Sequence, residues 1–278
     1  AAGGRWLHRE RGKSILRPKS NSPDERPALD RLSDFDAIID VRSPGEFALD
    51  HIPGAINHPV LDDAERAMVG TLDKQHSPFE ARKVGAALAS RNIARHLETH
   101  FASKPREWRP LIYCWRGGQR SGSMAHVLRA IGWRVETLPG GYKTYRQRVI
   151  SDLETLPQKV RFQVICGATG SAKSRLLEAL AQEGAQVLDL EALAKHKGSV
   201  LGGLPGEAQP SQRWFESQIW NTLSSFNQYA PIWVESESRK IGSLQVPTAL
   251  LTHIRASAPL RLEASIDARV SFLLDDYG

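Results

Sequence analysis

Cysteine is scarce in this sequence, which has 2 cysteines in 278 residues. Two cysteines cannot form a disulfide framework or a metal site built from cysteine alone. Long apolar runs are also missing, since no window approaches the roughly 18 consecutive apolar residues that a membrane-spanning helix needs. The first residues lack the charged start and apolar segment of a secretory signal. We therefore expect a reducing compartment, the cytoplasm, and no association with a membrane.

The overall composition is that of an ordinary globular protein, with 41% hydrophobic and 24% charged residues. These fractions exclude collagen, a long coiled coil and extended disorder as descriptions of the whole chain. At roughly 150 residues per domain, the length predicts about two domains. The formal net charge of +6 permits an anionic partner without identifying one.

The first half of the chain reads as a basic lead-in followed by a parallel-sheet domain. Residues 1–33 are rich in Arg, Lys and Pro and lack apolar periodicity, which predicts a flexible segment; a tail that grips nucleic acid is the alternative. Short apolar runs predict strands at 35–41, 110–114 and 133–138. An apolar stripe at Met124, Val127, Leu128 and Ile131 predicts a helix before the last strand. Strands that alternate with helices indicate an α/β domain over residues 34–148.

The second half reads as another α/β domain, over residues 160–278, after a polar linker at 149–159 that contains Pro157. Strands are predicted at 160–166, 185–189, 232–235 and 260–263, and helices at 173–182, from Pro210 onward and at 268–277. A sheet of this type usually has at least five parallel strands. We therefore expect the second domain to be truncated at its C-terminal end.

Cys114 stands at the end of a predicted strand, directly before a glycine-rich turn and a helix. Glycines let successive backbone N–H groups point inward, and the helix N-terminus adds partial positive charge, so the turn suits an anion. The residues predicted to form this anion loop are Arg116, Gly117, Gly118, Gln119, Arg120 and Ser121. Such surroundings stabilise a thiolate, which makes Cys114 the predicted catalytic residue. A buried structural cysteine is the alternative.

Two flanking segments resemble the signatures of rhodanese domains. Residues 40–47 with 51–56 resemble the N-terminal signature, and 138–142 resemble the closing Gly-Gly-Tyr segment. The resemblance implies a rhodanese-like parallel-sheet domain. In it, Asp40 and Arg42 are expected to form a structural pair, and Glu46 and His51 to act as determinants of the fold; catalytic roles are the alternative.

The spacing between Cys114 and Arg120 is Cys-x5-Arg, one residue longer than in common sulfurtransferase rhodaneses and equal to that of cysteine phosphatases. A longer loop has room for a tetrahedral oxyanion above the sulfur. Two chemistries remain open at this point: hydrolysis of a phosphate monoester through a phosphocysteine, and chalcogen transfer from a phosphate-like donor. Trp115 either stacks on a nucleobase or packs in the core.

A second anion site is predicted where a glycine-rich turn follows a strand and opens a helix, the context of a P-loop. The residues predicted to bind phosphate are Gly167, Thr169, Gly170, Ser171, Lys173 and Ser174. The glycine expected before Lys173 is Ala172, so a purely structural loop is the alternative. Asp189 and Glu235 end strands, where they either orient a metal ion or are ordinary acids. No metal ligand is assigned, and a requirement for Mg²⁺ is left open.

Three segments together resemble bacterial tRNA 2-selenouridine synthases: 113–123, 140–143 and 237–242. The resemblance implies an enzyme that modifies the wobble 2-thiouridine of tRNA in two steps. A geranyl group from geranyl diphosphate is attached to the sulfur, and selenium from selenophosphate then replaces the S-geranyl group. By this resemblance, selenation needs Cys114 and its loop holds selenophosphate, while the loop around Lys173 holds the diphosphate. No tightly bound cofactor is expected.

The net positive charge of the chain then predicts a partner, the tRNA backbone, which is bound mainly through Lys and Arg. The candidate RNA-binding residues are Lys143, Arg146, Arg148, Arg239 and Lys240. A solvated charged linker is the alternative for the first three. Three other functions stay open: a rhodanese-fold cysteine phosphatase, an ATP-dependent sulfurtransferase or kinase, and a non-enzymatic RNA-binding module.

Overall fold

The computed structural model describes residues 27–197 and 207–277. The strands are β1 Ala37–Asp40, β2 Ile56–Asn57, β3 Pro110–Tyr113, β4 Glu136–Thr137, β5 Phe162–Cys166, β6 Gln186–Leu188, β7 Ile232–Glu235, β8 Lys240–Ile241, β9 Leu244–Gln245 and β10 Pro259–Arg261. The α-helices are α1 Pro44–Leu49, α2 Asp63–Gln75, α3 Pro78–His96, α4 Gln119–Ile131, α5 Gly141–Thr155, α6 Lys173–Gln182, α7 Leu190–Ala194, α8 Gln212–Ser225, α9 Thr248–Ala256 and α10 Ile266–Tyr277.

The first sheet is parallel throughout, with the strand order β2-β1-β3-β4. Successive side chains of a strand point to opposite faces, and here both faces are buried. Ile112 packs into the core beneath α3 and α4, whereas Leu111 and Tyr113 pack into the core that contains α5. This arrangement explains the short, almost wholly apolar strands.

The second sheet is also parallel and has the order β10-β5-β7-β6. Its four strands correspond to the four predicted from the sequence, with ends that differ by at most two residues. A two-stranded antiparallel hairpin, β8 with β9, lies outside this sheet and was not predicted. The α/β fold class is confirmed, because two parallel-sheet α/β units follow one another along the chain.

The prediction of a polar linker at 149–159 is wrong, because helical structure occupies this segment. The last turns of α5 run to Thr155, and a 3-10 turn covers Leu156–Lys159. Val149 and Leu153 are buried on one side of α5, and the polar residues that suggested a linker cover the other side. The Tyr145 ring on the same buried side lies 5.6 Å from the Trp220 ring of α8, so the two sheets share one continuous core.

The predicted lead-in needs a similar correction at its end. Residues 1–26 lie outside the described residues, but 3-10 turns form at Ala28–Asp30 and Leu32–Asp34. Ala28 is buried, and Arg31 pairs with Glu136 at 2.6 Å. Ordered structure therefore begins before Phe35. Short 3-10 turns carry no apolar periodicity, which is why the sequence pattern misses them.

Strands β1 and β4 are shorter than the sequence predicts. β4 is two residues long because the segment before it turns, with the Val135 N–H donating to the Trp133 carbonyl at 3.1 Å. Trp133 packs edge-on against Trp108 at 5.3 Å instead of extending the strand.

In the part of the chain that the structure describes, no helix combines the length and apolar character needed to span a bilayer. The cytoplasmic location stays a prediction.

Candidate functional site

Cys114 follows β3 directly and is buried, with 3% of its surface exposed. Its Sγ lies 3.2 Å from the hydroxyl of Ser121 in the first turn of α4. Burial alone raises the pKa of Cys114, yet hydrogen bonds from the hydroxyl and backbone N–H of Ser121 oppose it. The backbone N–H groups of Arg116 and Gly118 act in the same direction, and the resulting pKa lies below that of an ordinary thiol. The loop therefore stabilises negative charge at the sulfur.

The closing Gly-Gly-Tyr segment holds this loop in its shape. The N–H groups of Tyr142 and Lys143 donate to the carbonyls of Cys114 and Trp115, at 2.8 and 3.1 Å. Gly141 has φ +59°, and a Cβ there would lie 2.2 Å from the Cys114 carbonyl oxygen. Only glycine fits so close an approach at positive φ. The carbonyls are thereby engaged on the α5 side, away from the thiol.

The two loop arginines have different surroundings. Arg116 is exposed, whereas Arg120 donates to Glu46 at 2.7 Å. Burial raises the pKa of Glu46, but Arg120, with Arg66 at 3.0 Å, lowers it below its ordinary value. The charge of Arg120 is thus partly neutralised by a carboxylate. Backbone N–H groups of Arg116, Gly118 and Ser121 face the sulfur, and the loop continues into α4 at the exposed Gln119.

The predicted structural pair is present beneath the loop. Arg42 and Asp40 are both buried and pair at 2.6 Å. The Arg42 guanidinium also lies 3.9 Å from the centre of the Tyr142 ring, and the Tyr142 hydroxyl donates to Asp50 at 2.6 Å. Trp115 packs against Tyr142 with ring centres 5.2 Å apart, which is the packing alternative of the two that its position allowed.

The second predicted site lies where β5 ends and α6 begins. Lys173 Nζ donates to the Gly167 carbonyl at 3.1 Å, and the Ser174 hydroxyl donates to Glu235 at 2.9 Å. Ser171 is buried and its hydroxyl oxygen has no hydrogen-bond partner. Ala172, at the position where glycine was expected, has φ +60° and ψ +31°. Glycine adopts this left-handed conformation freely and alanine does not.

A cleft of about 600 Å³ opens above this loop, and five acidic residues line it, three of which lie close together. One oxygen from each of Glu191, Glu235 and Glu237 lies within 4.8 Å of the others. Burial, and next the charge of Glu235, raises the pKa of Glu191 to about 8 and that of Glu237 to about 7. Burial raises the pKa of Glu235 as well. The cleft therefore combines a phosphate-type loop with acids that a cation would stabilise.

The sequence indicated only part of this acidic set. Glu235 was a candidate, but Asp189 instead caps α7 by accepting from the Ala192 N–H at 2.8 Å. Glu191, in the first turn of that helix, and Glu237, beyond β7, were missed. The signal for Glu191 is its position one residue into the helix that Asp189 caps. Only the folded sheet brings it to Glu237.

The C-terminal helix α10 covers one side of the P-loop. Arg269 donates from Nε to the Thr169 carbonyl at 2.9 Å. Gly170 approaches α10 so closely that a Cβ there would lie 2.9 Å from the side chain of Leu273. Phe272 and Leu273 line the cleft, so an apolar wall stands beside the phosphate-type loop.

A basic and apolar groove of about 1200 Å³ runs between α2, α3 and the start of α4. Among its lining residues are Arg66, Lys74, Arg82 and Val69. Gln119 and Arg120 of the anion loop line the same groove. The sequence did not reveal it, because neither α2 nor α3 was predicted.

The candidate RNA-binding residues do not form one free cluster. Arg146 is 15% exposed and pairs with Glu216 of α8, so it joins the two domains. Arg148 pairs with Asp152 at 2.6 Å and with Asp30 at 3.0 Å. Lys143, at the start of α5, is exposed, as are Arg239 and Lys240 at the β8–β9 hairpin. Contact with RNA stays a prediction for all five.

Two family models match the chain. The model described as "Rhodanese-like domain" matches residues 25–148, and the one described as "tRNA 2-selenouridine synthase AAA domain" matches residues 160–278.

Several curated relatives are named tRNA 2-selenouridine synthase. The tRNA 2-selenouridine synthase of Nitrosomonas europaea is 37% identical over 244 residues, which are 86% of this chain and 63% of that protein. The tRNA 2-selenouridine synthase of Marinobacter nauticus is 32% identical over 261 residues, which are 93% of this chain and 70% of that protein. The chain spans less than two thirds of the length of several relatives, as it does for that of Nitrosomonas europaea.

Among solved structures, a rhodanese-related protein of Thermoplasma volcanium is similar to part of the chain. The similarity covers 44% of this chain and 85% of that protein, with 16% identity and a TM-score of 0.28. These values are too low to add to the description of the fold.

Proposed function

The chain belongs to the tRNA 2-selenouridine synthase family, and from this membership we propose that it replaces sulfur by selenium in the wobble 2-thiouridine of tRNA. The observation that carries the proposal is the loop around Cys114. It holds a thiol of lowered pKa among inward-directed N–H groups, and it has the length that accommodates a tetrahedral oxyanion. Selenophosphate, which has the shape of phosphate, suits such a loop as the selenium donor.

The first step of the proposal is geranyl transfer at the P-loop. The sulfur of the 2-thiouridine forms a bond to C1 of geranyl diphosphate as the bond from that carbon to oxygen breaks. Diphosphate leaves, and the proton on N3 of the base is lost to water. Lys173 is the cation that binds the diphosphate. The apolar wall formed by Phe272 and Leu273 is suited to the geranyl chain. These two features stand side by side in one cleft, as a prenyl diphosphate requires.

The acidic residues of the cleft favour a bound Mg²⁺ ion, since their carboxylates would repel a bare diphosphate. The hydroxyl of Ser174 and the carboxylate of Glu235 are in contact, and oxygen ligands of these kinds are those that Mg²⁺ prefers. We propose that these two residues hold the ion, with Glu191 and Glu237 nearby, and that it neutralises charge on the diphosphate. No tightly bound organic cofactor is part of the proposal.

The second step is selenation at the loop around Cys114. The selenium of selenophosphate forms a bond to C2 of the base while the geranyl thiolate leaves from the same carbon. Water then cleaves the bond between selenium and phosphorus, and phosphate is released. The groove beside Gln119 and Arg120 combines basic and apolar surface, which suits a nucleotide that carries a geranyl group. Transfer RNA and a supply of selenophosphate are the partners that this chemistry requires.

The test is mass analysis of nucleosides from 2-thiouridine-containing tRNA after incubation with the chain, geranyl diphosphate and selenophosphate. We expect 2-selenouridine with the unaltered chain. Cys114→Ser should still form S-geranyl-2-thiouridine and no 2-selenouridine. Cys166→Ser, which alters the other cysteine, at the end of β5, is the matched control and should retain both products.

Two results would overturn the proposal. Selenation at the normal rate by Cys114→Ser would remove the loop from the chemistry. Hydrolysis of an aryl phosphate without RNA, together with no change in the tRNA nucleosides, would instead favour the cysteine phosphatase that the Cys-x5-Arg spacing also allows.

A further inference from the structure

Three histidines meet on the rhodanese-like domain, outside both sites described above. His58 follows β2, His96 ends α3, and His100 lies in the short π-helical turn Leu97–Phe101. The centre of the His58 ring lies 5.0 Å from that of His96 and 4.7 Å from that of His100. The ring centres of His96 and His100 are 5.8 Å apart. One nitrogen atom of each ring lies within 4.8 Å of the other two.

The hydrogen bonding of His96 leaves one of its two ring nitrogens without a partner. Its Nε2 lies 2.9 Å from the carbonyl oxygen of Pro59, and because a carbonyl only accepts, Nε2 carries the hydrogen. Nδ1 therefore bears a lone pair, and it is buried with no hydrogen-bond partner. Metal-bound histidines characteristically donate their other N–H to a carbonyl or carboxylate, which fixes the ring and the tautomer. His96 has that arrangement.

The spacing and the chemistry of the ligands identify the class of ion. His96 and His100 form a His-x3-His pair, a spacing found in zinc sites, and they stand at a π-helical turn, a local distortion that often marks functional positions. Imidazole suits zinc and its transition-metal neighbours, whereas Mg²⁺ and Ca²⁺ take oxygen ligands. Around a tetrahedral zinc ion the nitrogens stand about 3.3 Å apart, so small side-chain movements close this site.

We propose that His58, His96 and His100 form a zinc site whose fourth coordination position is open to water. The rings line a cleft of about 420 Å³, and His100 is exposed, which provides a path for the ion. Bound there, zinc would tie the segment after β2 to the end of α3. The proposal rests on the histidines alone and is independent of the proposed function.

A lysine stands beside the three histidines. Lys104 lines the same cleft. Its positive charge opposes that of a bound ion, so Lys104→Gln should tighten zinc binding.

The experiment uses the full chain without a histidine tag, stripped of metal by a chelator. Zinc is titrated against a chromophoric chelator, and Co²⁺ is added separately to look for the visible absorption of tetrahedral Co²⁺. We expect one zinc ion per chain, a higher Tm with zinc, and intense Co²⁺ bands. Because His58 is buried, the exposed His100 carries the test: His100→Ala should weaken zinc binding by about tenfold or more.

The matched control is His126→Ala, which removes an exposed histidine of α4 that lies outside the cluster. It should leave the affinity for zinc unchanged. Equal affinity of His100→Ala and the unaltered chain would overturn the proposal, and so would the absence of any tetrahedral Co²⁺ spectrum. Circular dichroism of His100→Ala establishes that a loss of binding is not a loss of fold.

Discussion

Replacing Ala172 by glycine should stabilise the chain, although the change removes a methyl group. The left-handed backbone at Ala172, with φ +60° and ψ +31°, costs an L-residue about 1–2 kcal/mol. Glycine escapes that cost but gains freedom in the unfolded chain, which offsets about 0.4–1 kcal/mol. The difference leaves an expected rise of about 0.8 kcal/mol in the free energy of unfolding.

A control for this prediction lies in the same helix. Ala179 is exposed on α6, where glycine costs about 1 kcal/mol relative to alanine. Ala172→Gly and Ala179→Gly make the same chemical change with opposite expected signs, so their unfolding free energies should differ by about 1.8 kcal/mol. Urea unfolding measures both, and a shift of 1 kcal/mol moves Tm by roughly 2–4 °C in a protein of this size.

The same variant tests whether the methyl group narrows the phosphate loop. Calorimetric titration with inorganic diphosphate should give tighter binding to Ala172→Gly than to the unaltered chain, since the Cβ stands at the start of α6, where an anion approaches. A loss of stability equal to that of Ala179→Gly would refute the left-handed backbone at Ala172. Unchanged diphosphate affinity would refute the steric part of the reasoning.

Three further predictions follow from charge. Lys173→Ala should weaken diphosphate binding about tenfold to a hundredfold, the value of one hydrogen bond to a charged group, and should impair geranyl transfer in the nucleoside assay. A triple Lys143→Ala, Arg239→Ala, Lys240→Ala variant should bind tRNA with a salt slope shallower by about 2, at roughly 0.7 per phosphate contact; an unchanged slope would take these residues out of the RNA path. Burial lowers the pKa of His58 to about 4 in the folded chain. The free energy of unfolding of the metal-free chain, measured with urea, should therefore fall by up to about 3 kcal/mol as the pH drops from 6.5 through 4. The difference from His58→Asn over that range isolates this term from the carboxylates, and parallel curves would contradict it.

The sequence predicts most of the sheet structure because its signals are local. α6 was predicted to run from Lys173 to Gln182 and does so, since a glycine-rich turn marks its start. The parallel order of both sheets follows from strands that alternate with helices. Helices α2 and α3 escaped prediction although their starts carry signals: Asp62 with Glu65 forms a capping box, and Ser77 caps α3 ahead of Pro78.

The candidate sites also differ in how much of each the sequence reveals. The loop at Cys114 and the P-loop each lie within one continuous stretch, so glycine spacing alone indicates them. The partners of single side chains do not follow from such spacing, because residues from distant segments supply them. Arg146 illustrates this, because the sequence does not reveal its ion pair with Glu216, on a helix of the other domain. The acids around Glu235 and the three histidines depend on tertiary structure for the same reason.

Helix α5 couples the two chemical sites mechanically, and this explains why a segment with a polar sequence must be rigid. Its first N–H groups bind the carbonyls of the Cys114 loop. One turn later Arg146 pairs with Glu216 of α8, and further along the Trp220 indole donates to Asp152 at 2.9 Å. A flexible linker at this place would let the loop relax whenever the domains moved. With one helix packed into both, the shape of the anion loop depends on the docking of the P-loop domain, so a substitution that loosens the pairing of α5 with α8 should disturb the thiol environment at a distance.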